Sequence, residues 1–217
     1  MDSHKLRNKA LKAIDETTFY PSKGKERLKS MIETRPDWCV SRQRVWGVPL
    51  PIFINKKTSE ILVDDEVFDN IAKIYEKEGS DCWFSDDPQK FLGKKYKAED
   101  FEKLSDIVEV WFDSGSTHSF VLEKRKDLKW PASMYLEGSD QHRGWFHSSL
   151  LESCGTRDRA PFESILSHGF VVDGKGLKMS KSLGNVIAPE DILKKYGADI
   201  LRIWVASSNY AEDLRID

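Results

Sequence analysis

The sequence predicts an α/β fold, in which a parallel sheet carries helical crossovers and a smaller α+β subdomain is inserted ahead of it. Short apolar runs alternate with helical patterns from residue 105 onward, which is typical of a parallel sheet. Residues 36–104 lack this alternation and contain turn residues at short intervals. Residues 188–217 carry the end signals of helices, with Pro189 at the start and Gly197 after the last turn of the first one.

The N-terminal segment, residues 1–35, is basic and helical in pattern. Apolar residues of 6–14 recur at steps of three and four, which predicts one face of a helix. The run Tyr-Pro-Ser-Lys-Gly at 20–24 is expected to break that helix, and the apolar residues of 28–32 predict a second helix that stops near Pro36.

The connective segment, residues 36–104, is predicted to be a small α+β subdomain. The apolar run 46–54 contains two prolines and is expected to form an edge strand. A turn at 55–59 would lead to a second strand at 60–63, and the spacing of apolar residues over 67–75 predicts a helix.

The remaining residues supply the predicted parallel sheet. Apolar runs at 107–112, 133–136 and 165–172 are expected to form its strands, with a helix between 141 and about 155. The lysine-containing loop at 173–185 completes this segment, 105–187. Two helices are expected in 188–217.

Composition excludes several classes of protein. Aromatic residues make up 11% of the chain, which is too many for a disordered segment. The chain has 34 Lys+Arg and 36 Asp+Glu, so it lacks the excess of positive charge that is typical of a protein that coats nucleic acid. Three cysteines without a CxxC pair predict neither a disulfide scaffold nor a zinc site, and favour a reducing, cytoplasmic setting. No apolar run is long enough for a membrane helix, and no secretory signal is expected at the N-terminus.

Polar clusters follow each predicted strand, where ligands bind in open parallel sheets: 113–115, 137–141 and 168–169. Gly138 would let the backbone approach a ligand, Ser139 or Asp140 would cap the next helix, and Glu137 would bind an amine or a ribose hydroxyl. Trp111 and Trp145 would offer flat apolar walls. The alternative is that these are ordinary turn, cap, surface and core residues.

The loop at 173–185 is the most specific segment. It carries three lysines within seven residues, at 175, 178 and 181, between glycines at 174, 176 and 184. Mobile ammonium groups suit phosphate binding, although the spacing is not that of a P-loop. A solvated charged loop is the alternative reading.

The five residues Lys178–Ser182, Lys-Met-Ser-Lys-Ser, match the signature loop of class I aminoacyl-tRNA synthetases. The stretches 35–47, 111–118 and 135–146 resemble the isoleucine-specific branch of that family. The resemblance implies that residues 105–187 are the second half of a Rossmann-like catalytic domain. It also implies that 1–35 returns from an editing insertion and that 188–217 begin a helical region contacting the tRNA stem.

The resemblance implies activation of isoleucine by ATP with Mg²⁺, and transfer to tRNA(Ile). Lys178 and Lys181 would be catalytic, and Glu137 would hold the amino group. The other implied contacts are Asp140 and Gln141 to ribose or substrate, Trp111 and Trp145 to the isoleucine side chain, and Gly138, His168, Gly169, Met179, Ser180 and Lys181 to ATP. No metal site within the chain and no membrane partner are implied.

The family's His-Ile-Gly-His signature is absent from these residues. The expectation is therefore a piece of a synthetase that needs the remainder of the enzyme and forms little or no adenylate alone. The alternatives are a non-enzymatic nucleotide- or tRNA-binding module that uses basic residues of 5–29 as its RNA surface, and an unrelated nucleotidyl transferase.

Overall fold

The computed structural model describes all 217 residues, which form two compact units. The first unit, here called the sheet unit, comprises Met1–Pro36 and Gly115–Asp217. The second, the connective unit, comprises Asp37–Ser114.

The sheet unit begins with two helices joined by a strand: α1 (Leu6–Glu16), β1 (Thr18–Tyr20) and α2 (Lys23–Glu33). Both predicted helices are confirmed, and they bury Ile14, Leu28 and Ile32 completely. The expected break between the two helices is confirmed, but α1 already ends at Glu16, because Thr18–Tyr20 is a strand of the main sheet. Three residues are too few to show an alternating pattern, and this strand forms because β7, far along the chain, provides the backbone partners.

The connective unit consists of short elements around an aromatic core. In chain order they are β2 (Ser41–Arg42), β3 (Phe53–Asn55), α3 (Asp65–Glu78), α4 (Cys82–Ser85), α5 (Pro88–Leu92), β4 (Phe101–Lys103), β5 (Ile107–Val108) and α6 (Val110–Gly115). Trp83 is fully buried, with its ring centroid 5.1 Å from that of Phe53 and 5.0 Å from that of Phe91. The predicted helix over 67–75 and the turn at 55–59 are confirmed.

Three strand predictions for this region are wrong. The run 46–54 is extended strand only from Phe53, and 60–63 contributes a single bridge between Ile54 and Ile61. The run 107–112 stops at Val108, where β5 pairs antiparallel with β2 and not with the parallel sheet. The Glu109 carboxylate accepts the Trp111 N–H and so helps α6 begin inside the apolar run.

The sheet unit resumes with β6 (Tyr135–Gly138), α7 (Trp145–Arg157) and β7 (Ser164–His168). β7 lies between β1 and β6, and both pairings are parallel, so the predicted parallel sheet is confirmed although its third strand is β1. Ile165 of β7 and Phe146 and Leu150 of α7 are fully buried, and α7 packs against α1.

The C-terminal part contains β8 (Val171–Asp173), α8 (Pro189–Tyr196), α9 (Ala198–Ser207) and β9 (Leu214–Ile216). The single strand predicted over 165–172 is divided at Gly169, whose N–H donates to the Tyr210 carbonyl, so that β8 pairs with β9. The predicted helix from Pro189, followed by Gly197 at φ +82°, is confirmed. No helix of the structure is both long and apolar enough to cross a bilayer.

Buried histidines of the sheet unit should make its stability depend on pH. Burial, with Arg35 and Arg143 nearby, lowers the pKa of His147 from 6.5 to about 4. The unfolded chain therefore binds more protons below pH 6.5, and the folded state loses stability as the pH falls from 6.5 towards 4. Between pH 7 and pH 5 we expect the free energy of unfolding to decrease by about 2 kcal/mol through this group.

Denaturant unfolding at the two pH values measures this change. A His147→Asn variant should show a smaller pH dependence than the wild type, whereas His4→Asn, at an exposed position, should leave it unchanged. Equal slopes for wild type and His147→Asn would contradict the assignment.

Candidate functional site

The carboxyl ends of β6 and β7 lie side by side. Glu137 is in register with Ser167, and Gly138 with His168, so the two predicted polar clusters meet at one edge of the sheet. Glu137 is exposed and His168 is partly exposed there. The third cluster, at 113–115, lies in α6 and follows no strand of the parallel sheet.

Gly138 is the point where the backbone has no room for a side chain. A Cβ atom built on it would lie 2.7 Å from the Asp140 carboxylate and 3.5 Å from the Phe170 ring. Any larger residue would have to displace the Asp140 side chain, which is exposed to solvent. The crowding comes from Asp140 and Phe170, and the close approach of a ligand to this glycine stays a prediction.

Gln141 organises the turn between β6 and α7. Its Nε2 donates to the Asp140 carboxylate at 3.0 Å, and its Oε1 accepts the Trp145 N–H at 2.9 Å. The prediction that Ser139 or Asp140 caps this helix is wrong: Gln141 accepts the N–H of its first residue, Trp145. Both ends of the Gln141 amide are therefore engaged in holding Asp140 and α7 in place.

The lysine loop leaves from this same edge through Gly169 and β8. Asp173 and Leu177 form a turn, in which the Asp173 N–H donates to the Leu177 carbonyl at 2.9 Å and Val172 bridges Lys178. The Ser180 hydroxyl then accepts the Leu183 N–H over a 3₁₀ turn, Lys181–Leu183. The loop is thus an ordered hairpin followed by a capped turn.

Asn185 fastens the two halves of the loop together. Its amide donates to the Asp173 carboxylate at 2.8 Å and to the Lys178 carbonyl at 3.3 Å, while its oxygen accepts the Ser180 N–H at 2.9 Å. The Asn185 amide and the Leu177 N–H hold the pKa of Asp173 below its usual range. This one side chain fixes the backbone on both sides of Met179.

Removing the Asn185 side chain should loosen the loop. In Asn185→Ala we expect trypsin to cleave after Lys178 and Lys181 about tenfold faster than in the wild type, because three hydrogen bonds worth about 1 kcal/mol each restrain that segment and part of their loss is recovered by water. Asn55→Ala is the control, since the Asn55 side chain restrains a loop of the connective unit in the same way. Equal cleavage rates at Lys178 in the three proteins would contradict this role for Asn185.

Lys178 and Lys181 are exposed and have no carboxylate partner. Most basic residues of the N-terminal helices differ from them, because acids of the same unit pair with them: Arg7 with Asp2, Lys9 with Asp158, Lys12 with Glu16, and Lys25 and Lys29 with Asp15. The loop therefore presents uncompensated positive charge, whereas the N-terminal face proposed as an RNA surface is largely neutralised.

The two tryptophans predicted as pocket walls lie in different units. Trp145 stacks on Tyr135 with ring centroids 3.9 Å apart and planes 2° from parallel. Trp111 lies in α6 of the connective unit and is 42% exposed. Their joint role against a substrate side chain stays a prediction.

No group of three or more His, Cys, Asp or Glu side chains converges as a metal site would require. Met179 and Ser180 are partly buried within the loop, and Gly169 lies against the backbone of Glu212. The predicted ATP contacts thus fall into two groups. One lies at the strand ends, at 138 and 168–169, and the other lies in the lysine loop, at 178–181.

A family model described as tRNA synthetases class I (I, L, M and V) matches residues 1–217. The chain belongs to this family. Two curated class I synthetases match at least 99% of its residues. It is 86% identical over 217 residues to the isoleucine–tRNA ligase of Pelagibacter ubique, covering 100% of this chain and 24% of that protein. It is 58% identical over 216 residues to that of Brucella abortus, covering 99% and 22%.

The chain thus spans about a quarter of the length of these class I synthetases. Two solved structures share the fold. One is the Mycobacterium tuberculosis methionyl-tRNA synthetase with methionyl-adenylate, at TM-score 0.61 and 16% identity, covering 98% of this chain and 33% of that one. The other is the Agrobacterium radiobacter LeuRS–tRNA–LeuAMS ternary complex, at TM-score 0.57 and 23% identity, covering 84% and 25%.

Two features of the site were not predicted from the sequence. Asn185 could have been singled out, because Gly-Asn after a lysine loop is a turn signal and an Asn side chain commonly bonds nearby backbone. The second feature is strand β1. Its sequence provided only a weak indication, because Thr18–Tyr20 is a run of just three β-forming residues before a proline.

Proposed function

We propose that this chain is the part of an isoleucine–tRNA ligase that holds the phosphates of ATP and the amino group of isoleucine during adenylate formation. The observation that carries the proposal is the shared edge: Glu137, Gly138 and His168 come together in register, and the lysine loop leaves from the same edge. The identity of 86% to an isoleucine–tRNA ligase supports isoleucine as the amino acid.

In the proposed reaction the isoleucine carboxylate attacks the α-phosphorus of ATP, an oxygen–phosphorus bond forms, and the bond to pyrophosphate breaks. The nucleophile is already an anion, so the chain has no proton to remove. Its task is to align the reactants and to stabilise the negative charge that moves onto the departing pyrophosphate. Lys178 and Lys181, unpaired and exposed, are free to perform that second task.

The strand ends would orient the other parts of the substrates. Glu137 is an exposed carboxylate beside Gly138 and would accept the ammonium group of isoleucine. Asp140, held by Gln141, would accept a ribose hydroxyl, and the backbone of 168–169 would border the adenine. Trp145, stacked on Tyr135, would offer its edge to the isoleucine side chain.

Mg²⁺ belongs to this proposal as a companion of the ATP phosphates. Such ions usually keep several waters and bind mainly through the substrate phosphates, so this proposal needs no cage of protein ligands within the chain. The same proposal includes two macromolecular partners, tRNA(Ile) and the remainder of the ligase. It also includes a cytoplasmic location.

The test uses a hybrid ligase, in which this chain replaces the matching 217 residues of the Pelagibacter ubique isoleucine–tRNA ligase. We expect isoleucine-dependent exchange of pyrophosphate into ATP at a rate within about tenfold of the parent enzyme. The same exchange with valine should be weaker by about 10- to 200-fold, since a methylene is worth about 1–3 kcal/mol.

A correctly folded hybrid that gives no exchange with isoleucine would overturn the proposal. Exchange that is equally fast with any amino acid would overturn the assignment of isoleucine. The folded state of the hybrid is checked by its thermal transition against that of the parent.

A further inference from the structure

Three aromatic rings of the sheet unit form a row that leads from its core towards solvent. Phe162 is 2% exposed and lies at the inner end, Tyr135 is 3% exposed and lies in the middle, and Trp145 is partly exposed at the outer end. The ring centroids of Phe162 and Tyr135 are 4.9 Å apart, and those of Tyr135 and Trp145 are 3.9 Å apart. Tyr135 therefore connects the core to the ring of the row that a substrate could contact.

The backbone of α7 does not fix the orientation of the Trp145 ring. Trp145 is the first residue of that helix, so no preceding turn of the helix supports its side chain. Gln141 holds the backbone N–H of Trp145 and not its indole. The ring of Phe146 lies farther away, with centroids 6.3 Å apart, and is tilted by 37°. The Tyr135 ring is 2° from parallel to the indole, so it limits the tilt of the indole from one whole face.

Tyr135 is itself held firmly within the sheet unit. It begins β6, where it is in register with the fully buried Ile165 of β7. Its hydroxyl is buried near that of Ser149 without a hydrogen bond of normal geometry, and burial raises the pKa of Tyr135 to about 12. The hydroxyl thus adds little to the anchoring, and the flat ring is what this residue contributes against Trp145.

We propose that Tyr135 is a positioning residue that sets the orientation of the Trp145 indole and, through it, the selection of isoleucine over valine. The inference rests on the proposed function, in which Trp145 borders the isoleucine side chain. Isoleucine exceeds valine by one methylene, and a pocket gains from that group only where its wall stays at contact distance. An indole that is free to tilt would contact the two side chains about equally well.

Pyrophosphate exchange by the hybrid ligase, measured with isoleucine and with valine, tests this role. In Tyr135→Leu we expect the KM for isoleucine to rise about tenfold and that for valine about twofold, so the preference for isoleucine in kcat/KM falls about fivefold. The KM for ATP should stay unchanged, because the ring acts on the amino-acid side chain alone. Tyr135→Met, whose flexible side chain fills more of the vacated space, repeats the test should Tyr135→Leu fail to fold.

Two further variants separate positioning from core packing. Tyr135→Phe keeps the flat ring and should keep the wild-type preference for isoleucine. Phe162→Leu is the matched control, since Phe162 is equally buried in the same row but packs on Tyr135. It should lower the thermal transition of the hybrid about as much as Tyr135→Leu does, and should leave the preference within about twofold of the wild type.

An active hybrid whose preference for isoleucine is the same in wild type and Tyr135→Leu overturns the positioning role and leaves the proposed function in place. Equal losses of preference in Tyr135→Leu and Phe162→Leu also overturn it, because general loosening of the core would then be the cause. Loss of preference in Tyr135→Phe, or an equal rise in the KM for ATP, has the same consequence. A folded wild-type hybrid without isoleucine-dependent exchange overturns the proposed function, and this inference with it.

Discussion

Lys181→Ala in the hybrid ligase should lower the rate constant of isoleucine-dependent pyrophosphate exchange by about 10²–10³, the usual cost of removing one group directed at developing charge. The Lys181 ammonium group is exposed and has no carboxylate partner, so its charge is available to the phosphates. The KM for ATP should change much less than kcat, because the interaction strengthens as pyrophosphate departs.

The matched control is Lys175→Ala. Lys175 lies in the same loop and is also exposed, but it occupies the turn fixed by Asp173, ahead of the segment that Asn185 fastens. We expect its kcat to stay within about threefold of the wild type, the range usual for a surface charge. Equal losses in the two variants would mean that only the total charge of the loop matters.

Glu137→Gln in the same hybrid should raise the KM for isoleucine by about 10², with a smaller effect on kcat. The substitution keeps the shape and removes the negative charge, and loss of one partner of a desolvated charge pair costs about 2–5 kcal/mol. The KM for ATP should be unaffected, because the proposed contact is to the amino group. Kinetics at varied isoleucine and saturating ATP separate the two constants.

Glu163→Gln provides the comparison for this substitution. Glu163 is an exposed carboxylate just before the opposite, amino end of β7, where it pairs with Lys129 at 2.9 Å. It precedes the amino end of the strand that finishes at His168, so it lies away from the site and its substitution should leave both KM values unchanged. An unchanged KM for isoleucine in Glu137→Gln would remove this residue from the proposed site.

The helices of the chain were predictable where local chemistry alone defines them. α8 begins at Pro189 and is followed by Gly197, because these residues fit a helix start and a positive φ whatever surrounds them. α3 is another example, since Asp64 accepts the N–H groups of Glu66 and Val67 at its start.

The strands were less predictable, because a strand needs a partner that the local sequence does not specify. The apolar run 107–112 becomes two residues of antiparallel strand and then a helix, and β1 forms only because β7 is adjacent. Likewise, the sequence placed Glu137 and His168 at strand ends, but their register could come only from the folded sheet.

The lysine loop is proposed to meet the triphosphate of ATP, and affinity labelling of the hybrid ligase measures this contact most directly. An acyl phosphate of ATP, which transfers its acyl group to a lysine beside the terminal phosphate, is added with isoleucine, and the labelled lysines are located by mass spectrometry. We predict labelling at Lys178 and Lys181 that excess ATP suppresses. Suppressible labelling elsewhere, with both of these lysines unmodified, would contradict the placement of the triphosphate against this loop.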